Sequence, residues 1–145
     1  MKDSELRVSV RETSRVTQED GEIVEMSSLC EGCLRRFPCE TLLTYTANAE
    51  GGRIFNRIRA KGKEVTVKRS GAVSLSLTLK EGQTEQTLYQ VPPFSFDMTV
   101  TTESVEVEHH ASGGLSLRLC FRSVIGGAPQ TTELVIDAEP RRDAK

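Results

Sequence analysis

A chain of 145 residues is of single-domain size and long enough to bury a core without disulfide or metal staples. Its formal net charge of -2 excludes the strongly basic balance of a general nucleic-acid binder. The start, Met1-Lys2-Asp3-Ser4-Glu5, is charged and no run of about 18 apolar residues occurs, so neither a signal peptide nor a membrane-spanning helix is expected.

Alternation of apolar and polar residues dominates the chain. Leu6, Val8 and Val10 alternate with Arg7, Ser9 and Arg11, which predicts a first strand to about Val16, turned by Gln18-Glu19-Asp20-Gly21. A second strand starts at Glu22 with Val24 and Met26 on one parity and reaches the cysteine-bearing segment Leu29 to Cys39, where Pro38 limits pairing. Glu40 to Thr46 forms the next strand, and Asn48 to Gly52 a loop. In the following segment Ile54, Asn56, Ile58 and Ala60 share one parity, and Phe55, Arg57, Arg59 and Lys61 the other.

The clearest element is the hairpin from Glu64 to Leu79. Val65 and Val67, then Val73, Leu75, Leu77 and Leu79, mark its apolar face, and Ser70-Gly71 supplies the turn, because glycine reaches positive φ at little steric cost. Thr87 to Val91 makes a short strand. Pro92-Pro93 interrupts it, and Phe94, Phe96, Met98 and Val100 restart the alternation on even positions. Val105 and Val107 are odd, so a bulge between Thr101 and Ser104 is required if both halves face one core. His109 to Gly114 turns the chain into a strand carrying Leu115, Leu117, Leu119 and Phe121, and Leu134 and Ile136 mark the last strand.

No window shows helical periodicity with caps, so the fold class is all-β. Strands joined in order by short turns stack as a sandwich or curl into an up-and-down barrel. Closure removes exposed edges and bulges bend sheets, which favours a single antiparallel barrel of about 8–10 strands. The barrel is assigned to residues 1–138 and a polar, disordered tail to 139–145.

Three stretches carry a family resemblance: Glu64 to Val73, Phe96 to Val105, and Gly114-Leu115-Ser116-Leu117-Arg118-Leu119. Together they resemble the YwiB-like family of small bacterial proteins. The resemblance implies a calycin-like, lipocalin-like barrel in the cytoplasm and carries over no catalytic residue. The chain departs from that family's pattern at Val91-Pro92-Pro93-Phe94 and in its cysteine cluster.

The candidate chemistry lies on the inward register. Asn56 shares parity with Ile54 and Ile58, and Glu12 follows Val10, so both point toward the core as polar fixtures of a cavity or of the barrel mouth. With Tyr45 on the third strand and Arg69 before the central turn, they form the expected ligand-binding set. Arg69 serves either as an anion contact at the rim or as a cap on the turn carbonyls. The expected function is binding of a small-molecule partner without a cofactor; a hydrolase or lyase with its site in the barrel would need convergent inward-facing titratable groups, of which the sequence offers only Glu12. An alternative is a protein or nucleic-acid interaction module using the basic outer strand, with Arg57, Arg59 and Lys61 as its anion or nucleic-acid contacts, opposed by the reading of that strip as a solvated face with Glu103, Glu106 and Glu108 as counter-charge.

Four cysteines, three of them between positions 30 and 39, are too few and too bunched for a secreted disulfide framework, and reduced thiols in a cytoplasmic protein are expected. Cys30-x-x-Cys33 with Cys39 also resembles half of a zinc site, which Cys120, His109 or His110 would have to complete. The two histidines sit at a polar turn and read as exposed.

Overall fold

A computed structural model of the chain describes residues 4–49 and 51–141. Ten strands follow one another: β1 (Ser4–Gln18), β2 (Ile23–Arg36), β3 (Thr41–Ala49), β4 (Gly52–Lys61), β5 (Glu64–Gly71), β6 (Leu75–Leu79), β7 (Thr84–Val91), β8 (Phe94–His109), β9 (Leu115–Ile125) and β10 (Ala128–Pro140). They form one antiparallel sheet in the order β6-β5-β4-β3-β2-β1-β10-β9-β8-β7. The sheet curls until β6 and β7 meet, where a single bridge between Ser74 and Gln90 replaces a ladder. The result is an all-β, nearly closed antiparallel barrel.

Period two puts one parity of every strand inside. At the end holding the β2–β3 and β4–β5 turns the interior is solid: Val8, Leu34, Leu43, Ile58, Val65, Leu117, Leu119 and Ile136 are almost wholly removed from solvent. The parity change on β8 is absorbed where expected, by a register shift between Thr102 and Ser104 opposite β9, so that Val100 and Val105 both face the core. The last strand runs two residues past the expected start of the tail, because Glu139 and Pro140 still pair with Ser9 and Val8. Residues 142–145 of that tail lie outside the described residues.

Two inward expectations need correction. Phe94 and Phe96 keep the parity of Met98 but are exposed, stacked on each other with ring centroids 6.4 Å apart. The β8–β9 ladder begins only at Met98 with Ile125, so the first residues of β8 stand above the wall in a ladder with β7 alone. Val24 and Met26 are exposed for a related reason. β2 pairs with β1 along its length but with β3 only from Gly32 to Arg36, leaving Ile23 to Glu31 as a free edge. The barrel wall is therefore split between the upper parts of β2 and β3.

Candidate functional site

Glycine fixes where that split begins. A Cβ on Gly32 would lie 2.5 Å from the Thr44 carbonyl oxygen and 3.0 Å from Val10 Cγ2, so only glycine lets β2 cross β3 and the β1 side chains this closely. Gly32 is the last β2 residue paired to β3, opposite Tyr45. Beyond it the two strands diverge.

The same level of the barrel carries its polar interior. Tyr45 on β3 pairs with Asn56 on β4, and Asn56 with Arg69 on β5, placing these residues in one row across three strands. Glu12 enters from β1. The Tyr45 hydroxyl donates a short hydrogen bond to Glu12 Oε1, and Arg69 Nη2 donates to Glu12 Oε2 at 3.4 Å. All four residues of the expected ligand set thus converge. Arg69 takes neither role expected at the rim: its odd register with Val65 and Val67 turns it inward to Glu12.

Burial raises the Tyr45 hydroxyl above its ordinary pKa, and the Glu12 charge beside it adds to the shift. The phenol is therefore a fixed donor, and Glu12 a fixed acceptor. The Asn56 amide nitrogen donates to the Tyr45 and Ile54 carbonyls, at 3.4 and 3.3 Å, while Asn56 Oδ1 and Arg69 Nε are buried without a partner.

Above this row the interior is hollow. A cavity of about 460 Å³ is walled by Val16, Ile54, Leu75, Leu77, Met98, Phe121 and Ile125, with Ser28 and Thr132 among its polar lining. Glu12 and Arg69 are its charged residues among those described. Met26, Ser27 and Ser28 of the free β2 edge form its side wall, so the cavity reaches the split.

The family described as "Domain of unknown function (DUF1934)" matches residues 8–129. The chain belongs to the DUF1934 family. Among solved structures it is similar to the crystal structure of ywiB protein from Bacillus subtilis, at 16% identity and a TM-score of 0.81, covering 95% of this chain and 94% of that one. At that identity the likeness is one of fold. A search of curated proteins found no match.

In this DUF1934 chain the other candidates do not converge. Arg59 is held by Glu40 at 3.2 Å, and Lys61 lies at the far end of β4 against Glu64. Only Arg57 of that trio enters the outer groove of about 700 Å³ at the β2–β3 split, where Arg7 and Lys68 join it with the half-exposed ring of Phe55. Sequence reasoning placed Lys68 in the basic run but missed Arg7, because cross-strand register brings it there rather than spacing.

The zinc reading fails on geometry. Cys30 and Cys33 sit on an extended strand with opposite parity rather than in a tight turn, so their thiols leave opposite faces of the sheet. Cys30 packs against the core, and Cys33 donates to Glu5 at 3.4 Å. Burial, with the Glu5 carboxylate adding to it, pushes the Cys33 thiol up. Cys120 points outward to Glu103 and is raised by the same two effects. No group of three or more His, Cys, Asp or Glu among the described residues is placed to hold a metal, and the four cysteines are free thiols.

His110 departs from the exposed-turn reading. Its Nδ1 lies 2.6 Å from Glu139, and its Nε2 lies 2.8 Å from Ser116 Oγ, which donates to Asp137 at 2.6 Å. This chain of bonds ties the β8–β9 turn to the end of β10 and directs the serine hydroxyl proton at the Asp137 carboxylate. No helix among the described residues is long and apolar enough to cross a membrane.

Proposed function

We propose that this protein is a non-enzymatic binding protein that holds a small molecule in the upper half of its barrel, with the calycin-like role expected of such a container. The observation that carries the reading is the hollow itself: about 460 Å³ of largely apolar space above a solid lower core, with one ion pair at its floor. Small-molecule sites combine an apolar wall with a few placed polar groups in this way. Four free thiols suit a reducing, cytoplasmic setting. The outer groove is the weaker alternative, since Arg59 and Arg141 are already paired to Glu40 and Glu31 and the basic strip is broken up.

The test is binding of the neutral, polarity-sensitive dye Nile red. Wild-type protein is expected to enhance its fluorescence saturably, and Ile125→Trp, which fills the cavity from β9, is expected to weaken binding at least tenfold while leaving the circular dichroism unchanged. Equal binding by the two proteins, or none by either, would remove the cavity as the site.

A further inference from the structure

A charged cavity usually announces the charge of its ligand, but here the charges cancel. Glu12 and Arg69 face the same hollow, one of each sign, paired at 3.4 Å. Tyr45 holds Glu12 as an acceptor from the other side, so the pair is fixed rather than swinging free. A ligand carboxylate brought to Arg69 would sit beside Glu12 in an apolar enclosure, and two like charges there disfavour each other strongly. An ammonium would meet Arg69 in the same way. The charge balance selects a neutral guest.

The buried hydrogen bonding left over makes no further demand on that guest. Arg69 Nε is a buried donor without a partner, and Asn56 Oδ1 is a buried acceptor without one. The two residues are direct partners on β4 and β5, and Asn56 is only 4% exposed, with its amide nitrogen already engaged by backbone carbonyls. Both atoms are closed off from solvent, and Asn56 lines the outer groove rather than the hollow, so the head of a guest reaches neither.

Resting on the cavity reading above, we infer that the barrel takes an uncharged, mainly apolar molecule, its polar end at the Glu12–Arg69 pair and its apolar body among Leu75, Leu77 and Ile125. A fatty-acid-type anion is the wrong guest for this floor.

The experiment compares three probes of one chain length at neutral pH, decanamide, decanoate and decylammonium, by displacement of Nile red from the wild-type protein. Decanamide is expected to bind at least tenfold tighter than either ion. In Glu12→Gln the floor becomes cationic, and decanoate is expected to gain at least tenfold and overtake the amide. Wild-type protein that prefers decanoate or decylammonium overturns the inference while leaving the cavity in place. Dye that binds but yields to none of the three also overturns it, and the absence of any dye binding removes the cavity with it. The wild-type ranking decides the matter even if Glu12→Gln fails to fold.

Discussion

Tyr45, Glu12 and Arg69 do structural as well as chemical work. They join β3, β1 and β5 at the level where the β2–β3 ladder stops, so side chains replace the backbone bonds that the split removes. Tyr45→Phe should therefore cost about 1.5–3 kcal/mol in urea unfolding, the range for losing a hydrogen bond to a charged group. A smaller loss would mean that water takes over the Glu12 oxygen. The raised Tyr45 pKa also sets a pH dependence. Folding favours the protonated phenol, so its contribution is fully present below pH ~10 and is lost as pH rises beyond that, where the unfolded chain releases a proton that the folded chain keeps. In a phenolate absorbance titration Tyr45 is expected to ionise only as the fold is lost. At this scale the inward placing of Glu12 and Asn56 was legible, because each interrupts an apolar parity. Their meeting with Tyr45 was not, since it depends on how β1 lies across from β3.

At the scale of elements, strand order and parity were open to reading from alternation alone, including the bulge on β8. The split was hidden because Ile23 to Glu31 alternates like any paired strand, and pairing on the far edge leaves no mark in a strand's own sequence. Gly32 was the one available signal, a glycine inside a strand pattern. Gly32→Ala should destabilise the fold by about 1–3 kcal/mol, as overpacking does, since the new methyl meets backbone at Thr44 that cannot move without dragging β3. Leu29→Ser, on the exposed part of the same strand, should change stability by no more than about 0.5 kcal/mol. If the two variants unfold alike, Gly32 is not what forces the close crossing. Val24, Met26, Phe94 and Phe96 misled for one common reason: parity tells which way a side chain points, but not whether a wall stands opposite.

For the whole molecule, the weakest line is the seam. β1 and β10 pair continuously from Val8 with Pro140 to Gln18 with Gln130, whereas β6 and β7 share the Ser74–Gln90 bridge and two side-chain bonds, Thr78 N–H to Glu85 and the Thr87 hydroxyl to the Ser76 carbonyl. Local opening follows the fewest and most exposed bonds, so amide hydrogens on β6 and β7 should exchange well before those of β1 and β10. Glu85→Ala should speed exchange at Thr78 and leave β1 and β10 unchanged. The seam is also cavity wall, because Leu75, Leu77 and Leu79 line the hollow from one side of it and Tyr89 from the other. A guest that binds only the closed barrel must therefore slow exchange at the seam in proportion to its concentration over its Kd, while a guest on the outer groove has no such reach. Decanamide that protects β6 and β7 would tie the weakest line of the fold to the site. Uniform protection across all ten strands, with or without the guest, would mean that the barrel opens only as a unit and that the seam is no weaker than the β1–β10 ladder.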